Sequence, residues 1–317
     1  MKQNSTFFAY VASILFAVFI GLSFMFVKLI VNIAEPFDIL AIRFLVAFIL
    51  LSLPAIFGWI KLTISWKDIY LLIPFALLYP ILFFTFQTWG LLGATSAEGG
   101  IIQATAPIFT VILSTLILKE KINLWQRLCL LLSVLGVIFI FVMQGASFSL
   151  DHIGSILLLL CSTLSFAVYS ILVRRSGQSY KPYDLSFVVI MLSFISFTVI
   201  SIVQHSVNGT ILEIVEPYKE PIFWYSIFYL ACFSSVFSIF LSNYALSKLE
   251  AYKVSVFNNL STLVSIIAGA VFLHEQITSV HVIGATMIIV GVIGTNLAGR
   301  WSKKTDVELS TKEEKRD

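Results

Sequence analysis

Charge, histidine and cysteine are all scarce in this chain. Of its 317 residues only 12% are Asp, Glu, Lys or Arg, four are histidine and three are cysteine. A soluble globule carries about 25% charged residues, so this chain lacks the charge to coat one. The net charge of +3 is too small and too scattered over loops to form a nucleic-acid surface. Cys129, Cys161 and Cys232 each sit inside an apolar run, which suits small hydrophobes and matches no disulfide framework or zinc spacing. His152, His205, His274 and His281 lie in or beside expected loops, and no buried carboxylate pair accompanies them. No catalytic residue, metal ligand or cofactor is therefore assigned. A GxxxxGK[ST] loop is also lacking, which argues against ATP-driven pumping by this chain.

What the chain has is apolar length. Hydrophobic residues make up 59% of it and its mean hydropathy is +0.98. The runs reach the roughly 20 residues that cross a bilayer as a helix. Being continuous rather than alternating, they exclude a barrel and leave an all-α polytopic membrane protein. About ten spans are expected, near 7–31, 37–57, 69–89, 96–118, 125–144, 154–174, 183–204, 223–244, 252–272 and 280–298. The first run is too long for a signal peptide and ends without a cleavage pattern, so it reads as a retained helix. The tail, 299–317, is polar and charge-dense, and disorder is expected there.

Loop charges orient the spans. Both termini inside places most loop lysines and arginines in the cytoplasm, among them Lys61, Lys67, Lys119, Arg174 and Lys248, and leaves Lys28 and Lys219 outside. The segment around Leu118, Glu120, Ile122 and Gly136 also recurs about 155 residues later as Leu273, Glu275, Ile277 and Gly291. Near the start of each half, Pro36-Phe37-Asp38 falls on Pro182-Tyr183-Asp184, and Lys28 falls on Arg174. Five helices per half is an odd number, so the second unit enters from the opposite face. Such inverted repeats hold a solute between them in secondary transporters.

On these residues the chain resembles the EamA-domain family of the drug/metabolite transporter superfamily. Pro107, Leu118, Glu120, Ile122 and Gly136 match its fourth and fifth helices, Gly21 to Lys28 its first, and Arg43 its second. The second half departs from that pattern, with Thr262 in place of Pro107 and Val189 in place of Arg43. The resemblance implies units at 8–142 and 153–298 and export of amino acids, other metabolites or drugs, often against protons. A membrane-embedded enzyme, or a channel without coupled transport, stays open as the alternative.

The candidate binding residues are the polar ones within spans. Each ionisable group at a helix centre costs roughly 2.5–3.5 kcal/mol on insertion scales. Arg43 and Lys28 can receive a carboxylate or phosphate, and Glu98 can balance them or take a proton. Equally, Lys28 can snorkel to the interface and Glu98 can simply suit a helix N-terminus. The uncharged candidates are Gln87, Trp89, Gln103, Tyr169, Asn243, Tyr244, Asn258 and Asn259, which either line a cavity or join helices. Gly99, Gly100, Gly284, Gly291 and Gly294 read as close helix contacts, in a monomer or weak homodimer. Pro80 and Pro107 should bend their helices. Asn208-Gly209-Thr210 matches a glycosylation sequon. The expected partners are the bilayer, a small solute that is carboxylate-bearing if Arg43 binds it, and protons; no nucleic acid is expected.

Overall fold

The computed structural model describes residues 2–94, 96–103, 105–119, 122–143, 153–176, 180–210, 219–272 and 279–313. Among these every regular element is helical. Six helical stretches are long and apolar enough to cross a membrane: Thr6–Ile30, Pro36–Ile56, Lys67–Gly93, Ile153–Ser176, Pro182–Asn208 and Pro221–Lys248. Shorter apolar helices cover Ala106–Leu118, Leu124–Gly136 and Val282–Thr295. Small polar side chains join an apolar core, and large apolar side chains also face outward. Ser13, Ser162, Ser170, Ser186 and Ser193 are buried, whereas Leu116, Val199 and Tyr225 are exposed. An apolar outside around a hydroxyl-rich inside is what lipid as solvent requires.

The first three helices are α1 (Lys2–Ile30), α2 (Pro36–Ile56) and α3 (Trp66–Ala76). The third span then passes through a π-helical stretch, Leu77–Leu82, and continues as α4 (Phe83–Gly93). Two short helices follow, α5 (Ser96–Gln103) and α6 (Ala106–Leu113), and then α7 (Leu124–Met143). The second half repeats the plan with α8 (Ile153–Ser176), α9 (Pro182–Asn208) and α10 (Pro221–Tyr229). A π-helical stretch, Leu230–Phe237, leads to α11 (Ser238–Lys248). Helices α12 (Ala251–Val256), α13 (Asn258–Phe272) and α14 (Ser279–Glu313) close the chain.

Helix starts follow local chemistry. Proline opens α2, α9 and α10 at the first turn, where its missing N–H costs nothing. Ser65 and Asp68 bond each other at the start of α3, a capping box. The expected bends at Pro80 and Pro107 are breaks. Tyr79 is extended (φ −146°, ψ 115°) before Pro80, and Pro107 lies at the start of α6 after α5 has ended. Three interruptions among the described residues carry no proline signal, the π-helical stretches at 230–237 and at 114–118 and the step between α12 and α13. At the first of these, Ser234 and Ser235 bond a side chain from another helix, and inserted side chains are a recognised cause of such bulges. The tail also differs from expectation, because α14 continues to Glu313. Beyond Gly299 it meets no Gly or Pro to stop it.

Corresponding helices of the two halves pack in antiparallel pairs. Helix α2 lies on α9: Asp38 at the start of α2 meets His205 at the end of α9, while Tyr183 at the start of α9 donates to Leu51 O near the end of α2. Helix α7 lies on α14 in the same manner, with Asn123 reaching Ala298 O. That second pair crosses through glycine: a Cβ on Gly291 would stand 2.6 Å from Cys129 O, and one on Gly136 would stand 2.8 Å from Gly284 O. The main core runs through α1, α2, α4 and α8 to α11, and a smaller cluster of Leu130, Val256, Phe257, Ile288 and Val292 belongs to α7, α12 and α14.

Candidate functional site

Arg43 stands at the centre of the main core, on α2, with 0% of its surface exposed. Its Nε donates to Ser235 Oγ at 2.8 Å and its Nη2 to Ser234 Oγ at 2.9 Å. Both acceptors belong to the π-helical stretch of the other half. The guanidinium lies 3.9 Å from the centre of the Phe84 ring, a cation–π contact of the kind that burial strengthens. Its third nitrogen, Nη1, has no hydrogen-bond partner among the described residues. Among the described residues no carboxylate pairs with this cation.

Around Phe84 the aromatic rings close into a chamber. Tyr79 lies with its ring centre 4.9 Å from Phe83, 5.5 Å from Phe84, 5.2 Å from Phe166 and 5.0 Å from Tyr169. The break at Tyr79 points that ring inward from the third span. Its hydroxyl, both amide atoms of Gln87 and the hydroxyl of Thr88 are buried and have no hydrogen-bond partner among the described residues. A buried polar atom left unsatisfied costs about 1–3 kcal/mol, and such groups ordinarily take their partner from water or a solute. Tyr79, Gln87, Thr88 and Arg43 thus each keep a buried polar atom without a partner among the described residues.

The other expected residues divide by role. Tyr169 donates its hydroxyl to Asn243 Oδ1, and Asn243 donates to Ser186 Oγ at 3.0 Å, so these two candidates meet directly. Gln103 accepts a long bond from Thr163 at 3.4 Å. Asn259 donates to Ser133 at 2.7 Å, joining α13 to α7. Trp89 and the half-buried Tyr244 stay near the ends of α4 and α11. Lys28 is a helix cap: its Nζ donates to Leu91 O at 3.0 Å and Ala94 O at 3.1 Å, the carbonyl end of α4. Its counterpart Arg174 donates to Leu246 O at the end of α11. The side chains of Glu98, Asn258 and His281, and residues Glu120, Glu275, His152 and His274, lie outside the described residues.

A second polar cluster escaped the sequence reading. At the start of α2, Asp38 faces His205 Nε2 at 2.9 Å and accepts from Ser201 at 2.5 Å. His205 is 4% exposed in the last turn of α9, so its position beside a loop does not make it a solvated residue. The cluster borders a pocket of about 510 Å³ lined by Asn32, Glu35, Asp38, Trp89 and His205 among others. The signal was available, since an aspartate recurs in the Pro-aromatic-Asp motif of both halves.

Apolar helices enclosing a polar, cationic centre define a multi-pass membrane protein of the transporter class. The model of the EamA-like transporter family matches residues 7–142 and again 153–297, and the chain belongs to that family. It is 45% identical to the uncharacterized transporter YcxC of Bacillus subtilis over 91% of this chain and 93% of that protein. An uncharacterized transporter of Archaeoglobus fulgidus shares 27% identity over 86% of this chain and 93% of its own length. A WAT1-related chloroplastic protein of Arabidopsis thaliana shares 24% over 88% and 67%. One crystal structure, 16% identical, has the same fold with a TM-score of 0.72 over 95% of this chain and 99% of its own.

Proposed function

We propose that the chain is a secondary exporter of small organic solutes, such as amino acids, related metabolites or drugs, across the cell membrane. Two inverted five-helix units, 8–142 and 153–298, rock about the Arg43 chamber, with both termini and the 299–317 tail in the cytoplasm. The observation that carries this reading is Arg43, a fully buried cation between the halves with hydroxyl partners and one unused donor. Such a group is expensive to keep in a membrane interior unless it is used. Its chemistry favours a solute bearing a carboxylate. The antiparallel pairing of α2 with α9 and of α7 with α14 supports inverted units, because an in-plane two-fold sets corresponding helices in opposite directions. Gln87, Thr88 and Tyr79 supply the hydrogen bonds that orient the solute, the Tyr169–Asn243 pair frames one wall, and protons drive the exchange.

The test is a thermal-shift screen of the purified protein with amino acids, nucleosides and drugs, followed by efflux of each hit from proteoliposomes. Carboxylate-bearing compounds should rank first, and their shift should vanish in Arg43→Met. A ranking led by cations, or unchanged by the substitution, would remove Arg43 from the site. Efflux that ignores an imposed pH gradient would remove the protons.

A further inference from the structure

The histidine cluster is built to hold its ring in either protonation state. His205 Nε2 faces the Asp38 carboxylate at 2.9 Å, a partner that favours the tautomer with its hydrogen on this nitrogen. His205 Nδ1 faces two atoms of one residue, Thr210 Oγ1 at 2.7 Å and Thr210 O at 3.0 Å. The hydroxyl can donate to a neutral Nδ1, whereas the carbonyl can only accept from a protonated one. Thr210 comes back over the ring because Gly209 ends α9 in the left-handed region at φ 69° and Thr210 N bonds His205 O. Among the described residues the charged groups that face His205 are Asp38 from α2 and Glu35 from the turn before it. The rest of the pocket wall near it, Asn32, Trp89 and Leu92, does not titrate.

We propose that His205, beside the pocket at the mouth of the α2–α9 seam, is a proton-binding site that takes its proton at Nδ1. A proton from water binds the Nδ1 lone pair, the Thr210 hydroxyl gives up its bond to that nitrogen, and the Thr210 carbonyl accepts the new N–H. No bond between heavy atoms changes. With the ring charged, Asp38 and His205 form an ion pair that ties the start of α2 to the end of α9, one helix from each half. With the ring neutral the tie falls to a single hydrogen bond and the mouth loosens. In an exporter driven by protons, an outer mouth that closes on protonation follows solute release in the right order. The role rests on the alternating-access reading above; the titration does not.

The experiment uses the full-length protein in detergent, ¹⁵N-labelled at histidine, between pH 5.5 and 8.0. One imidazole should titrate in that window with its Nε2 hydrogen retained, and its signals should be absent from His205→Gln. Thr210→Val removes the donor to the neutral ring and leaves the carbonyl, so the midpoint should move to higher pH. Wild type should exceed His205→Gln in melting temperature by about 3 °C or more at pH 5.5, with the gap closing by pH 8.0. A ring locked in one state over the whole range would overturn the proposal, as would a gap independent of pH. Should His205→Gln fail to fold, the Thr210→Val midpoint decides alone, and no movement overturns it. Transport without this titration would leave the exporter standing and place the proton elsewhere.

Discussion

At one end of the α2–α9 pair, Asp38 accepts from Ser201 and faces His205; at the other, Asp184 accepts from Thr63, and its Oδ1 is buried with no partner among the described residues. Both aspartates sit in the third position of the same Pro-aromatic-Asp turn. The backbone device is shared and its chemical load is not. The same contrast recurs elsewhere. Lys28 and Arg174 each bond the carbonyl end of the helix that follows their own half's π-helical stretch, so this pair is architecture. Arg43 and Val189 hold equivalent positions, and the first binds two serines of the opposite half while the second is a buried apolar residue. Features common to both halves join helices, and the proposed function assigns solute and proton chemistry to features present in one half alone.

The sharpest way to break that division is Arg43→Met against Val189→Ala. Losing the cation should lower transport at least tenfold, about 1.4 kcal/mol or more in rate terms. Stability should stay the same or rise, because a buried charge without a counter-ion is replaced by an apolar chain of similar reach. Val189→Ala should leave transport within twofold. Next in size is the shared glycine crossing. Gly291→Ala puts a methyl against the Cys129 carbonyl and Ser133 and should cost about 1–3 kcal/mol, read as an earlier thermal or denaturant transition.

The cap pair tests the other side of the contrast. Lys28→Met and Arg174→Met should each cost about 1 kcal/mol of stability and keep transport. A stable Lys28→Met protein that no longer transports would move Lys28 from architecture to the solute site. The smallest expected effect is Gly209→Ala. Space is open around it, yet its φ of 69° suits glycine, so about 1 kcal/mol should be lost.

Much of the bundle could be read from composition, since long apolar runs have few alternatives to helix. Pro80 and Pro107 announced their breaks because proline withholds a donor wherever it stands. The interruption at 230–237 gave no such sign: Ser234 and Ser235 become irregular through bonds to Arg43, 191 and 192 residues away in sequence. Arg43 was legible as a costly charge in an apolar run, whereas its aromatic wall was hidden among 29 phenylalanines. Lys28 was legible as a charge and not as a cap, which depends on where α4 ends. His205 was missed because nearness to a loop was taken for exposure, and only the fold brings Asp38 from the other half across to it.

The claim beneath all of this is that the two halves face opposite sides of the bilayer. Lys61 and Val207 are exposed, equivalent positions, one just beyond α2 and the other at the end of α9. Single cysteines placed there, with Cys129, Cys161 and Cys232 replaced, can be challenged with a membrane-impermeant maleimide on intact cells. Val207→Cys should label from outside, and Lys61→Cys should label only after the membrane is opened. Labelling of both from the same side would contradict the account.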